Sequence, residues 1–381
     1  MLGKKFVYLS KSAINAEQPL LFPVYNKNGN LLVEKGTMLT EEQVNKIQAL
    51  DEIFTLHRAF HTVMVDDRSE SADVDAAYKL APPFQRIEAI EKMLLDIYKS
   101  PNHPTSLSKI LTLVNRLQTI CDKSPDAVIA KIILDSNDNY AVKHVIHTAI
   151  LCELTAKYLG WEIEEKRSLI AASLTMNLSL GLLQNELIDQ SEPLSIEQKQ
   201  IIHDHPTESV SLLKSIGVQN LVWLEFVAKH HESPDGSGYP ENLKEDNIPL
   251  GASLIALSDV YCAKVSGRNY RKPIYANVAA RDIFLGKDQY TSETLIEVFV
   301  KMLGIYPPGS LVKLKNNEMG IVVKRGERVD SPIVQILDKN KHGQVVHGVK
   351  RQTSQKNYSV STIIPLDSSD FEIDPDSIWP A

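Results

Sequence analysis

Imidazole and carboxylate side chains recur at four places along the chain, and together they are the donor set expected for divalent iron, manganese or zinc. His144 and His147 stand three residues apart. His203 and His205 flank Asp204. His230-His231-Glu232 precedes Asp235-Gly236-Ser237-Gly238-Tyr239-Pro240. Asp259 follows the apolar stretch 252–257. Ligands of this kind, projected inward from separate helices, hold metal pairs in helical bundles. Two metals close together clamp a phosphodiester and activate water for its hydrolysis. Isolated histidines are ordinarily surface or satisfied core residues, and His57, His61, His103, His342 and His347 are read that way. On its residues alone, the segment 235–240 reads as a Gly-Pro turn. Gly236 and Gly238 permit tight turns and close approach, Tyr239 offers a ring and a hydroxyl, and Pro240 stiffens the exit.

The elements that must position these groups are helices. From residue 84 to 305 the apolar spacing is helical: Ile110, Val114, Leu117 and Cys121 share one face, and Val145, Ile150, Leu151, Leu154 and Tyr158 continue the pattern in another helix. Ser195 with Gln198 is a capping-box start. Consecutive helices with short loops predict an α-helical bundle. Ahead of it, residues 1–65 read as a small mixed α/β domain. Residues 20–25 and 31–33 are expected strands, Asn28-Gly29 a hairpin turn, and Thr40 with Gln43 a helix start. Residues 66–83 are polar and acidic and end in Pro82-Pro83, a linker signature. After Tyr306-Pro307-Pro308-Gly309 the segments 310–314, 320–323 and 332–337 read as strands, so residues 306–367 form a small β-rich appendage. The acidic tail 368–381 is expected to be mobile. The predicted fold class is mainly α.

Bulk properties narrow the function. The 381 residues suit two or three domains. With 43% hydrophobic and 23% charged residues the chain is expected to fold. Its net charge of -7 gives no broad basic field for duplex nucleic acid or for an anionic membrane. No run approaches the roughly 18 apolar residues of a membrane helix, and the start of the sequence does not read as a signal peptide. Cys121, Cys152 and Cys262 have no paired spacing and read as reduced core thiols, which points to the cytoplasm.

The segment 230–240 matches the HHExxDGxGYP signature of the HD-GYP family at every fixed position. Asp259-Val260-Tyr261 and Arg268-Asn269-Tyr270-Arg271-Lys272 resemble that family's later aspartate and RPYR segment. Tyr140 with His144 resembles its first ligand-bearing helix, His205-Pro206 its HP motif, and 304–312 the stretch after its bundle. The likeness spans about residues 138–325, and residues 1–65 resemble the short domain often found ahead of such bundles. The resemblance implies a helical bundle that binds two or three metals and hydrolyses the bacterial second messenger cyclic di-GMP. It implies metal ligands at His144, His205, His230, His231 and Asp259, and nucleotide contacts at Gly236, Gly238, Tyr239, Pro240, Arg268, Arg271 and Lys272.

One part of the pattern is replaced. The His-Asp pair that names the family falls, counting back from His205, on Met176 and Asn177, and the lysine that follows falls on Leu180 or Ser179. A shift of one residue does not restore the pair. His203-Asp204 is a literal His-Asp string, but it lies a helix and loop too late and reads as polar residues on an exposed helix face. Asn177 is nearly isosteric with aspartate but neutral, and Met176 is a poor ligand for hard ions. The expectation is a degenerate site holding one divalent metal (iron, manganese or zinc) or none. Such a protein works by binding cyclic di-GMP or a related cyclic dinucleotide, or by docking a partner such as a diguanylate cyclase. An active or weak metal-dependent cyclic di-GMP phosphodiesterase and a purely structural scaffold are the alternatives.

Overall fold

The computed structural model describes residues 6–8, 20, 23–34, 36–50, 53–56, 78–135, 138–266, 274–286, 293–339, 345–365, 371 and 373–381. The chain divides into two units, residues 1–77 and 78–381.

In the first unit, β1 (Phe6–Tyr8), β2 (Val24–Asn26), β3 (Leu31–Val33) and β4 (Ile53–Leu56) form an antiparallel sheet of order β1-β4-β2-β3. The β2–β3 turn forms where Asn28-Gly29 predicts it. Gly29 has φ +81°, and Asn26 Oδ1 accepts from the Asn28 and Asn30 amides at 2.9 and 3.0 Å. Helix α1 (Glu41–Gln48) carries the expected Thr40–Gln43 capping box. The strand expected over 20–25 is shorter and later; Leu20 is buried outside it, and Leu21 and Phe22 lie outside the described residues.

The second unit begins with α2 (Pro83–Lys99), α3 (Ser106–Lys123) and α4 (Pro125–Leu134), which pack around α5 (Tyr140–Tyr158). Then come α6 (Ile163–Thr175), α7 (Leu183–Asp189), α8 (Ile196–Ser215), α9 (Leu221–Lys229), α10 (Leu250–Val265), α11 (Ala276–Leu285) and α12 (Glu293–Leu303). The Ser195–Gln198 capping box starts α8 as predicted. Helix α5 departs from the one-faced pattern: Tyr140 to Ala156 are buried without a break, whereas Tyr158 is exposed. A helix enclosed on all sides runs through the middle of a bundle. The three cysteines are buried free thiols, as expected.

An antiparallel sheet of order β8-β7-β6-β5-β9 follows, built from β5 (Leu311–Leu314), β6 (Met319–Lys324), β7 (Ile333–Lys339), β8 (Val345–Gln352) and β9 (Val360–Ile363). The sequence indicated the first three strands and not β8 or β9. The sheet is fastened to the bundle by Leu311 and Ile321, which pack with Ala127 and Ala130 of α4, and by the Arg325–Asp126 ion pair at 2.7 Å. The expectation of a mobile tail is corrected. Helix α13 (Pro375–Ile378) is followed by Trp379, which stacks on Phe84 of α2 at 5.7 Å and donates its Nε1–H to the Val323 carbonyl at 3.0 Å. One buried indole outweighs the acidic residues around it. Among the described residues, no helix is long and apolar enough to cross a membrane.

Candidate active site

The expected ligand positions converge although they are far apart in sequence. His144 comes from the second turn of α5, His205 from the middle of α8, His230 and His231 from just past the end of α9, and Asp259 from α10. His144, His205, His231 and Asp259 line one cavity of about 460 Å3, and His230 is buried behind it. The ligand nitrogens of His205, His230 and His231 all lie within 4.8 Å of one another.

Local backbone chemistry sets the orientation of two of these rings. Pro206 sits inside α8 and has no N–H to give to the Ile202 carbonyl. That carbonyl instead accepts the Nδ1–H of His205 at 2.5 Å. The adjacent proline thus frees the acceptor that aims the imidazole. His230 follows the last turn of α9, where carbonyls lack helical partners, and its Nδ1–H donates to the Val227 carbonyl at 2.7 Å. Both rings therefore present bare Nε2 atoms, which face each other at 3.2 Å. Burial first, and the neighbouring His230 next, push the His205 pKa down to about 3, and burial lowers His230 and His231 as well. Neutral imidazoles with opposed lone pairs repel, and a cation between them relieves the repulsion. The set fits a divalent metal.

Asp259 faces His144, with Oδ1 2.5 Å from Nε2. Burial would raise the Asp259 carboxyl, but His144, His231 and His230 hold it well below the usual carboxylate range. The other nitrogen of His144, Nδ1, is buried without a hydrogen bond, and the ring is stacked on Tyr140 at 4.9 Å, so Asp259 and Tyr140 hold it.

Glu232 organises the glycine-rich loop, a role the sequence did not reveal. It is buried, and its carboxylate accepts from the Glu241 amide at 2.6 Å and the Leu243 amide at 2.8 Å. Gly236 has φ +79°. A Cβ on Gly238 would lie 2.3 Å from the Ser233 nitrogen and 2.5 Å from the His231 oxygen, so only glycine fits there. The folded loop lays Tyr239 along the cavity wall.

Residues 127–293 match the HD domain family. These residues form an HD domain. Among curated relatives, a cyclic di-GMP phosphodiesterase of Pseudomonas aeruginosa is 26% identical over 226 residues, 59% of this chain and 54% of that protein. The cyclic di-GMP phosphodiesterase PdeB of Borreliella burgdorferi is 21% identical over 238 residues, 62% of each chain. The chain therefore spans just over half the length of these relatives. A 3'3'-cGAMP-specific phosphodiesterase of Vibrio cholerae is 29% identical over 151 residues, 40% of this chain and 35% of that one. Among solved structures, an HDG"Y"P protein from Bdellovibrio bacteriovorus aligns with TM-score 0.48 and 15% identity, over 77% of this chain and 98% of that one.

Within the HD domain, the end of α6 is held by two buried bonds: Trp223 Nε1 to Thr175 Oγ1 at 2.8 Å, and Tyr98 OH to the Leu174 carbonyl at 3.1 Å. Asn177 lines the same cavity as His144, His205, His231 and Asp259, and its Nδ2 donates to Gln184 Oε1 of α7 at 3.3 Å. Met176 is fully buried in the apolar core. Leu180 also lines the cavity, while Ser179 donates to the His205 carbonyl at 2.9 Å. The far wall comes from α7 and the segment after it, through Gln184, Leu187 and Glu192, which the sequence did not single out. Arg268, Arg271 and Lys272 lie outside the described residues. His147 turns away from the cavity to Asp135, at 3.1 Å. Asp135 also meets Lys131 at 3.1 Å and Lys143 at 3.0 Å, and Lys131 reaches Glu91 at 3.3 Å.

Proposed function

We propose that the chain is an HD-GYP-type cyclic dinucleotide signalling protein that binds its ligand and hydrolyses it weakly or not at all. Asn177 carries this reading. It is buried in the cavity wall among His144, His205, His231 and Asp259, and it is a neutral amide bonded to Gln184. In that place it supplies no charge to offset repulsion between two dications, and Met176 beside it is committed to the core. Three imidazoles remain and suit one ion of iron, manganese or zinc. When bound, such an ion supplies Lewis acidity toward a phosphoryl oxygen.

The chain's own groups account for binding. His205 and His230 hold bare nitrogens toward the ion's position, and the carbonyls behind them prevent the rings from turning. Tyr239, on a loop fixed by Glu232, Gly236 and Gly238, offers a ring face and hydroxyl to a base or sugar. Pro240 closes that loop. Arg268, Arg271 and Lys272 are assigned the phosphates, which guanidinium and ammonium groups pair with well. The names of the relatives support cyclic di-GMP or a related cyclic dinucleotide as the ligand. Output passes through the bound state to a protein partner such as a diguanylate cyclase at the loop surface. The intact three-imidazole set favours a second reading, a weak metal-dependent phosphodiesterase.

Calorimetric titration with cyclic di-GMP in manganese, with analysis of the recovered nucleotide, separates these readings. Saturable binding with intact nucleotide supports the first. Fast turnover that disappears in His230→Ala establishes the second. No binding leaves a scaffold.

A further inference from the structure

His203 is exposed, as its sequence context suggests, with 52% of its side chain accessible. Its ring is nevertheless fixed. Nδ1 lies 3.1 Å from Asp204 Oδ1, and the other Asp204 oxygen accepts from Gln200 Nε2 at 2.8 Å. The ring is stacked on Tyr239, with centroids 4.9 Å apart and planes 25° apart. Tyr239 is stacked in the same way on His231, at 4.8 Å and 25°.

The three histidines of the candidate metal set differ in what orients them. Backbone carbonyls hold His205 and His230. His231 is surrounded by rings: Tyr239 stacked, His205 edge-on at 5.0 Å, and His230 tilted at 4.1 Å. A ligand ring must be held to within about half an ångström to complete a metal site. For His231 the stacked tyrosine does that work. Tyr239 belongs to a loop, and His203 connects its ring to the rigid helix α8.

We propose that His203 is a positioning residue: by clamping Tyr239 it holds His231 in the orientation that completes the three-imidazole metal site. The proposal rests on reading His205, His230 and His231 as a metal site. Asp204 and Gln200 set the plane of the clamp, and the stack transmits it. Ring stacking needs an aromatic ring and not specifically an imidazole, so phenylalanine at position 203 preserves the clamp.

The test is a titration of the metal-stripped protein with cobalt(II), followed through the visible absorption of the bound ion. Melting curves confirm that each variant is folded. The parent is expected to bind one cobalt per chain. His203→Ala weakens binding about tenfold, the low end of the loss on removing an outer partner of a metal ligand. His203→Phe stays within about twofold of the parent, because its ring still stacks. Tyr239→Ala weakens binding as much as the His203→Ala/Tyr239→Ala double variant, the non-additivity expected of residues acting through one contact. A His203→Ala protein that binds cobalt as the parent does, or a His203→Phe protein as weak as His203→Ala, overturns the proposal and leaves the metal site standing. A parent with no cobalt spectrum overturns the metal reading, and the proposal falls with it.

Discussion

Asn177→Asp changes one group and one charge at the position that decides the reading. Asn177 is 4% exposed and its side chain is bonded to Gln184. The new carboxylate inherits that place in the cavity that Asp259 also lines, and His144 already keeps Asp259 ionised. Two carboxylates then face one cavity, and the Gln184 amide must turn its NH2 to keep a bond. Without metal the variant is expected to lose about 1–3 kcal/mol, the cost of a buried polar group in poorer company. Metal reverses the sign, because the carboxylate becomes a ligand and its charge offsets repulsion between two cations. An ion that binds only the folded state adds about 2.7 kcal/mol at a hundred times its dissociation constant. At roughly 2 °C per kcal/mol for a unit of this size, the extra site raises melting by about 5 °C. The assay is thermal unfolding of metal-stripped parent and variant with and without manganese, with metal per chain counted after desalting. The variant should melt below the parent without metal, gain about 5 °C more on metal addition, and move from one metal per chain towards two. A folded variant whose occupancy stays at the parent's value refutes the placement of Asn177 at the bridging position. Adding Met176→His should help less than a ligand count suggests. Met176 is fully buried in the core, and an imidazole there costs about 1–3 kcal/mol if its nitrogens go unpaired.

Three further outcomes follow from single contacts. Pro206→Ala restores an N–H that competes with His205 for the Ile202 carbonyl. Melting of the metal-free protein should rise, since an interior proline costs a helix about 3 kcal/mol, while manganese affinity falls about tenfold; both quantities rising together would refute the competition. Glu153 is fully buried, and burial, against the pull of Lys166, raises its pKa from 4.5 to about 7. The stability it contributes is therefore complete below pH 4.5 and lost as pH rises through about 7. Glu153→Gln should gain on the parent between pH 5 and pH 8 by up to about 3 kcal/mol in urea unfolding, and a constant difference across that range would count against the shift. Trp379→Ala removes the stack on Phe84 and the bond to Val323, and should cost about 3 kcal/mol of unfolding free energy. A cost below about 0.5 kcal/mol, the level of an ordinary surface substitution, would mean that the tail is not docked.

Features written in neighbouring residues were legible. The Thr40 and Ser195 capping boxes, the Asn28-Gly29 turn and the 230–240 block each state their geometry within a few positions, and all formed as read. Non-local features were not. His147 could be seen as a ligand candidate, but its partner Asp135 is reached only through the packing of α4 against α5. Strand β8 carries charged residues without clean alternation, so no period marks it. The tail reads as solvated acid because a single tryptophan gives no pattern. His203 looked like surface because it is surface; its stacking partner, Tyr239, arrives from a loop 36 residues later.

The charged cluster around Asp135 bears on how His144 keeps its aim. A helix enclosed by apolar neighbours on every side is a greased rod. Turning it by one residue, about 100°, exchanges one apolar neighbour for another and selects no angle strongly. Helix α5 is not free in this way, because His147 and Lys143 on its first turns are pinned to Asp135, which Lys131 of α4 also holds. Any turn or slide would pull buried charges off their partners, a loss of about 3–5 kcal/mol for a broken buried pair. The cluster works as a key in a lock cylinder, admitting one angle and one depth. His144 stands one turn before His147 on the same rod, so the side of the helix it leaves from is fixed outside the cavity, while Asp259 meets its ring inside. The helix that forms this part of the pocket wall is thus anchored by charges that do not line the pocket.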